Sequence, residues 1–260
     1  VEDVLAHGMH VIHFGWLVTP DSIEMRVKGA LAKPSGSNGW AIAPDKSASG
    51  HTMLLSNSHL QWGDNHTYFE VQLTAPGVTS YGAVWVGFPT LRLCFTEHIG
   101  WTQTTNSVGL ASLYHLSTVD EGYVLDGVTR PFEVEEQTID VKEKSGFVRR
   151  EPHTVRRSKH GPVVFDDGEV TAALRVAGIR RPRMFEQFWR MGLSRNLDEF
   201  HDAMAIQHLP LFNTMYADRE GHIMYLFNSV APARREGDHE FWCGVVPGDD
   251  SRFIWPDEIV

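Results

Sequence analysis

Residues 35–50, SGSNGWAIAPDKSASG, join a small polar opening to a strand-like apolar segment. Gly36 and Ser37 stand just before Trp40 and Ile42, although a flexible linker has no use for large apolar side chains. The small polar residues predict a turn, and the apolar residues after them predict the start of a strand. The chain therefore places a serine where a turn enters a strand.

Ser37 can carry chemistry in this position. A serine hydroxyl is a weak nucleophile until a base takes its proton. If the bond between Gly36 and Ser37 is cut, the freed α-amine of Ser37 lies beside its own hydroxyl. Such an amine titrates near about 7.7–8.0 in model peptides, so it can serve as the base near neutral pH. Gly36 leaves room for the hydroxyl to attack the preceding carbonyl. From these residues alone, a polar turn without chemistry is the simpler explanation.

The composition is that of an ordinary globular protein, with 260 residues, 42% of them hydrophobic and 22% charged. A net charge of -10 argues against a nucleic-acid or anionic-membrane partner. No run of about 18 apolar residues occurs, so we expect no membrane span. Cys94 and Cys243 are too few for a disulfide framework or a cysteine-rich zinc site. One bridge between them stays open, but we expect two buried thiols.

Motifs for cofactors are missing from the sequence. It contains neither a Walker loop nor a dinucleotide-binding fingerprint, so we expect no organic cofactor. His7, His10 and His13 recur every three residues, but no carboxylate or cysteine stands at ligand spacing. We therefore expect packed or solvated histidines here and no metal site.

Helical periodicity predicts helices over residues 1–16, 20–32 and 183–206. Asp21 or Ser22 is expected to cap the second helix, which residues 33–36 then end. Asn196 followed by Glu199 fits a capping box.

Period-two alternation predicts strands over residues 67–73, 81–89 and 95–105, and hairpins over residues 163–176 and 215–228. The turns contain Asp-Asp-Gly in the first hairpin and Glu-Gly in the second. Strands in hairpins and helices in blocks indicate an α+β fold.

Residues 37–62, SNGWAIAPDKSASGHTMLLSNSHLQW, resemble the start of the mature β chain in the penicillin acylase family of N-terminal-nucleophile hydrolases. Residues 81–105, YGAVWVGFPTLRLCFTEHIGWTQTT, resemble the next block. SKHGPVV (158–164), FNTMYADREGHIMYLFN (212–228) and GVVPGDD (244–250) follow in family order. The resemblance covers nearly the whole chain.

The resemblance implies an N-terminal-nucleophile hydrolase fold, an αββα four-layer sandwich, here incomplete. The implied reaction is hydrolysis of linear amide bonds in N-acyl compounds, either acyl-homoserine lactones or β-lactam amides, after self-cleavage between Gly36 and Ser37. Residues 1–36 would then be the end of the α chain and a spacer, and residues 37–260 the first part of the β chain. The implied partners are a small N-acyl amide and the rest of both chains. The family usually works in the periplasm or outside the cell.

The resemblance also assigns roles to five residues. Ser37 matches the nucleophile, with its freed amine as base. His59 matches a histidine that supports the nucleophile or the tetrahedral intermediate, and it favours the acyl-homoserine-lactone or cephalosporin acylase branch. The backbone N–H of Thr105 matches half of the oxyanion hole. Leu60 and Phe69 match positions that line the acyl pocket.

Two departures from the family pattern stand out. The family's second oxyanion donor, an asparagine, would fall beyond Val260, so we expect this piece alone to be inactive. We also expect it to expose an apolar face near Leu60, Phe69 and Trp85. Gly109 and Ser112 stand where the family has calcium-binding aspartates, which argues against the usual calcium site. The alternative hypothesis is that the protein is an inactive or truncated family member with a binding role only.

Overall fold

The computed structural model describes residues 2–29, 36–60, 62–63, 66–106 and 108–257, with the backbone alone for residues 15–17. The helices are α1 (Glu2–His10), α2 (Pro20–Val27), α3 (Met184–Leu193), α4 (Leu197–Met204) and α5 (His239–Cys243), with a π-helical segment, Val11–Leu17, after α1. The strands are β1 (Ser37–Ile42), β2 (Met53–Ser58), β3 (Tyr68–Ala75), β4 (Val78–Trp85), β5 (Leu93–Thr96), β6 (Ile99–Thr104), β7 (Ala111–Leu116), β8 (Thr118–Val119), β9 (Gly122–Leu125), β10 (Val128–Pro131), β11 (Glu133–Lys142), β12 (Val148–Ser158), β13 (Gly161–Asp166), β14 (Thr171–Val176), β15 (Asn213–Asp218), β16 (Ile223–Phe227) and β17 (Val245–Pro247).

A six-stranded antiparallel sheet in the order β16-β15-β6-β5-β4-β3 forms the centre of the site region. On one face lies the β1–β2 hairpin, where Thr102 of β6 donates a hydrogen bond to Ser56 of β2 at 2.5 Å. On the other face lie α3 and α4, and Trp101 of β6 stacks on Phe188 of α3. Successive residues of a strand face opposite sides, so Trp101 contacts the helices and Thr102 contacts the hairpin.

A second six-stranded sheet has the order β11-β12-β13-β14-β7-β17. Its strands pair antiparallel, except that β17 runs parallel to β7. Helix α2 covers this sheet through Ile23, which packs in a small core with Leu113 and Leu174. Strands β8, β9 and β10 form a third, small sheet. The segment before Ser37 therefore packs against strands that follow it in the chain.

The helix predictions are partly right. Asn196 caps α4 by accepting a hydrogen bond from the Glu199 N–H at 2.9 Å, which confirms that helix start. The predicted cap of α2 is wrong, because Thr19 takes the N-cap position and exchanges hydrogen bonds with Ser22. The helical region predicted over 183–206 contains two helices, α3 and α4, and the second begins at the predicted cap. Residues 30–35, which include most of the predicted break, lie outside the described residues.

The strand predictions hold better. Both predicted hairpins are present, and Gly168 and Gly221 take positive φ in their turns. Residues 95–105 do not form one strand, because a turn at Glu97 and His98 divides them into β5 and β6. The antiparallel hairpins and separate helices confirm the α+β class.

The histidines of the first helix and the two cysteines have ordinary structural surroundings. His13 is buried and donates from Nδ1 to the Met9 carbonyl at 2.9 Å, and burial lowers its pKa. Among the described residues, no group of three or more His, Cys, Asp and Glu side chains is arranged to hold a metal ion. Both cysteines are free thiols, but Cys243 is only partly buried, unlike Cys94.

Candidate active site

The register of the β1–β2 hairpin brings Ser37 and His59 to one end of the fold. Ser37 pairs with Ser58, so the next residue of the returning chain, His59, lies beside Gly36. A Cβ atom placed on Gly36 would lie 3.2 Å from His59 Nδ1, which shows how closely the imidazole covers the glycine. A two-residue offset in the hairpin would remove this contact.

The Ser37 hydroxyl faces the peptide bond that precedes it. Its Oγ donates a hydrogen bond to the Gly36 carbonyl oxygen at 2.8 Å. His59 Nε2 lies 3.2 Å from Asn38 Nδ2. In the part of the chain that the structure describes, no hydrogen bond joins Ser37 to His59 directly. Gly36, Ser37, Asn38 and His59 therefore form one polar group, which we call the serine end.

Thr105 follows directly after β6 and borders the same pocket as Ser37. Its carbonyl accepts a hydrogen bond from Asn213 Nδ2 at 3.2 Å, and Asn213 Oδ1 accepts one from Tyr225. Thr105 Oγ1 is buried and has no hydrogen-bond partner among the described residues. The Asn213 side chain thus fixes the chain where β6 ends.

The pocket beside the serine is narrow, with about 10 Å³ of free volume. A space of this size holds about one water molecule. Its lining residues are Ser37, Ser58, Leu60, Tyr68, Trp85, Arg92, Leu93, Gln103, Thr105 and Phe212. An acyl chain therefore cannot enter this pocket unless the lining moves.

The structure separates the two predicted acyl-pocket residues. Leu60 lines the pocket, but Phe69 does not. Phe69 lies on β3 with 48% of its surface exposed, and the preceding residue, Tyr68, lines the pocket in its place. Neighbouring strand residues face opposite sides, so Tyr68 and Phe69 do not line the same pocket. The role of Phe69 in an acyl pocket stays a prediction.

The predicted apolar face is only partly exposed. Trp85 is 1% exposed and belongs to the main core, and Leu60 is partly buried against that core, whereas Phe69 is exposed. Other exposed apolar side chains lie on the outer face of the β1–β2 hairpin: Trp40, Met53 and Leu55.

Arg92 is the pocket residue that the sequence analysis missed. It is 2% exposed, and its guanidinium carbon lies 4.5 Å from the ring centroids of both Trp85 and Phe212 and 4.7 Å from that of Phe188. Burial lowers the pKa of Arg92 to about 10, while the neighbouring Tyr68 raises it. Neither Nε nor Nη1 has a hydrogen-bond partner among the described residues. The one sequence signal was an arginine between two leucines, Leu91 and Leu93.

The two positions matched to calcium-binding aspartates lie at and just before the start of β7. The Gly109 carbonyl accepts a hydrogen bond from the Arg234 guanidinium. The Ser112 hydroxyl accepts one from Trp255 Nε1 at 3.1 Å and lies 3.4 Å from Arg234 Nη2. The cationic side chain of Arg234 thus lies beside both positions.

Comparison with known proteins shows the family to which this chain belongs. The family model described as penicillin amidase matches residues 7–260. The chain therefore belongs to the penicillin amidase family.

Among its relatives are two acyl-homoserine lactone acylases. The one named PvdQ, from Pseudomonas syringae pv. tomato, is 31% identical over 213 residues, covering 78% of this chain and 28% of the relative. The one named QuiP, from Pseudomonas syringae pv. syringae, is 25% identical over 232 residues, covering 85% of this chain and 27% of the relative. The chain thus spans less than a third of the length of these relatives.

A solved structure shares the fold. The thermostable penicillin G acylase from Alcaligenes faecalis superposes with a TM-score of 0.70 at 19% identity, covering 85% of this chain and 39% of that chain. The N-terminal-nucleophile hydrolase fold expected from the sequence is confirmed by this match. Within the described residues, no helix is long and apolar enough to cross a membrane.

Proposed function

We propose that this chain supplies the nucleophile and part of the acyl pocket of an amidohydrolase that cleaves linear amide bonds in N-acyl compounds. Ser37 becomes the nucleophile after the chain cuts itself between Gly36 and Ser37. The observation that carries this proposal is the position of Ser37 Oγ, 2.8 Å from the Gly36 carbonyl oxygen, with His59 beside that glycine.

Self-cleavage begins when Ser37 Oγ attacks the Gly36 carbonyl carbon. The C–N bond to Ser37 breaks, its nitrogen takes a proton, and an ester joins Gly36 to the Ser37 oxygen. Water then hydrolyses the ester, which leaves a Gly36 carboxylate and a free Ser37 α-amine. In each later turnover that amine accepts the hydroxyl proton, and Oγ forms an acyl-serine ester as the substrate's amine leaves. A second water releases the acid and restores the serine.

The contact between Asn38 and His59 supports a donor role for the histidine. With the Asn38 amide nitrogen donating to His59 Nε2, the ring proton of neutral His59 is on Nδ1. Nδ1 is the atom that faces Gly36. His59 can then donate toward the oxygen that becomes negative during attack. The Thr105 backbone N–H serves as the oxyanion donor after cleavage, a kind of contact typically worth about 3–4 kcal/mol.

Two kinds of acyl group are candidates for the substrate, and Arg92 is the residue that should distinguish between them. The names of the relatives favour N-acyl homoserine lactones. The buried Arg92, with two nitrogens lacking a partner, favours an acyl group that ends in a hydrogen-bond acceptor or a carboxylate. Hydrolysis of one amine carrying either an alkyl or a carboxylate-ended acyl chain of equal length separates the two. Arg92→Met should reduce the rate with the carboxylate-ended chain far more than with the alkyl chain.

Intact mass of the full-length protein tests the proposal. We expect two chains, the second beginning at Ser37. Ser37→Ala should leave a single chain, whereas Ser49→Ala, in an exposed turn of the same segment, should be cut normally. Ser37→Cys should still be cut but should hydrolyse substrate poorly.

An uncut wild-type chain without acylase activity would instead support the rival, a family member with a binding role only. The expected partners are the rest of its own α and β chains and a small N-acyl amide, and the expected location is the periplasm or the medium. Cleavage of Ser37→Ala into the same two chains would refute self-processing through Ser37.

A further inference from the structure

A cluster of positive charge lies where the family resemblance places a calcium ion. Arg234 donates from Nη2 to the Gly109 carbonyl, and the same nitrogen lies 3.4 Å from Ser112 Oγ. Its guanidinium carbon lies 4.7 Å from the centroid of the Trp242 ring, which gives a cation–π contact. Arg234 thus ties the start of β7 to helix α5.

Arg26 of α2 reaches the same place from the other side. Its Nη2 donates to the Gly244 carbonyl at 2.8 Å and to the Trp242 carbonyl at 3.3 Å. Its Nη1 donates to the Ala111 carbonyl at 3.4 Å. We call Arg26, Arg234 and the oxygens that they contact the arginine joint. It links four segments: α2, the start of β7, the stretch before α5 that carries Arg234, and the turn from α5 to β17.

The arginine joint is electrically unusual. Burial lowers the pKa of Arg234, and the charge of Arg26 lowers it further, so the two guanidinium groups lie close enough to repel each other. The hydrogen-bond acceptors are neutral carbonyl and hydroxyl oxygens. Within the described part of the chain, no carboxylate hydrogen-bonds to or forms an ion pair with either arginine. The joint therefore carries two positive charges against neutral oxygens.

These residues do not fit a calcium ion. Calcium takes about six to eight oxygen ligands, several of them carboxylates, at about 2.3–2.6 Å. Here Gly109 and Ser112 supply no carboxylate, and their oxygens already accept hydrogen bonds. A Cβ atom on Gly109 would lie 3.3 Å from Arg234 Nη1, so an aspartate side chain at this position would grow directly into the guanidinium. Two nearby cations would also repel a third.

We propose that Arg26 and Arg234 take over the structural role of the metal ion at this place, so that the fold of this chain does not depend on calcium. Each guanidinium donates to backbone carbonyl oxygens of packed segments, Arg26 to those of Ala111, Trp242 and Gly244 and Arg234 to that of Gly109. The planar fork of arginine suits this role because it offers several donors in fixed directions. The proposal concerns folding and stands apart from the chemistry of Ser37.

Thermal unfolding of the purified protein tests the proposal. Excess calcium and excess chelator should leave the midpoint of the wild-type protein unchanged. Arg234→Gln should lower the midpoint by about 5 °C, because it removes charge-assisted hydrogen bonds in a chain of this size. Arg235→Gln is the matched control, since its neighbouring side chain is exposed, and it should leave the midpoint within about 1 °C.

Terbium luminescence gives a second readout that does not depend on any variant. The Trp242 and Trp255 rings border the joint, so a lanthanide bound there would be excited through them. We expect no tryptophan-sensitised terbium emission that calcium can displace. Such emission, a calcium-dependent rise in the wild-type midpoint, or equal midpoints for the two glutamine variants would each overturn the proposal.

Discussion

At the serine end, Gly36, Asn38 and His59 are exposed, and a few neutral hydrogen bonds hold the group together. In the arginine joint, two partly buried cations bind backbone carbonyls from segments far apart in the chain. The first region is local, since one hairpin register sets it. The second is non-local, since Arg26 contacts oxygens more than 80 positions away. The proposed chemistry therefore depends on contacts within one hairpin, whereas the arginine joint depends on contacts between distant segments.

Crowding the serine end should have the largest effect. In Gly36→Val the new side chain must occupy space beside His59, because even a Cβ would lie 3.2 Å from Nδ1. Displacing the imidazole or the scissile carbonyl should slow self-cleavage about 100-fold, as small misplacements of reacting groups do. The fraction of cut chain over time, from intact mass, measures it. Gly63→Val is the control, because a Cβ there meets no atom of the described residues within 4 Å. Cleavage of Gly36→Val at the wild-type rate would show that the contact is irrelevant.

A buried imidazole in the turn between β12 and β13 should give a similarly large, pH-dependent effect. His160 is 0% exposed and lies against the rings of Tyr114 and Tyr123. Burial, followed by the charges of Arg175 and Lys159, lowers its pKa to about 4. His160 therefore takes up a proton near pH 6.5 in the unfolded chain, but only near pH 4 in the folded chain. Stability is fully present above about pH 6.5 and should fall by about 2–3 kcal/mol as the pH drops to about 4.

Urea unfolding at a series of pH values measures this loss for His160. Changing His160→Phe should remove most of the slope between those pH values and keep the ring packing. His115→Phe, at an exposed position on β7, should keep the slope. Equal slopes in all three proteins would mean that other groups cause the acid sensitivity.

The structural features predicted correctly from the sequence are those that depend on residues close together in the chain. Both hairpins and the cap at Asn196 depend on neighbouring residues and short turn signals, and they are correct. The division at Glu97 and His98 was missed because that turn has no glycine, proline or asparagine to mark it.

The missed arginines have a common reason. Arg26, Arg92 and Arg234 act through contacts with residues that lie far away in sequence or pack from other layers, and no short pattern encodes such a contact. By contrast, the resemblance of residues 37–62 singled out Ser37 and His59, which the hairpin register brings to one end of the fold. The roles of Ser37, His59 and Phe69 stay predictions.

Weakening the arginine joint from the α2 side should cost less than the titration of His160. Arg26→Gln loses donors to the Ala111 and Gly244 carbonyls, which are then left without their partner. We expect a loss of about 2 kcal/mol, which corresponds to a fall of about 4–8 °C in the unfolding midpoint. Lys28→Gln, at the C-cap of the same helix, removes an exposed ion pair with Glu24 and should change the midpoint little. Equal midpoints for the two variants would contradict the structural role of Arg26.

The smallest effect should come from a side-chain hydrogen bond between strand β2 of the hairpin and the sheet below it, from Thr102 Oγ1 to Ser56 Oγ at 2.5 Å. Thr102→Val keeps the shape and leaves the Ser56 hydroxyl without this donor, which should cost about 1 kcal/mol of unfolding free energy. Thr102→Ser keeps the hydroxyl and should lose less. If the serine end depends only on the hairpin register, self-cleavage of Thr102→Val should proceed at nearly the wild-type rate despite the lower stability. Slower cleavage in the valine variant, restored in the serine variant, would mean instead that the sheet beneath the hairpin helps to aim Ser37 at its own peptide bond.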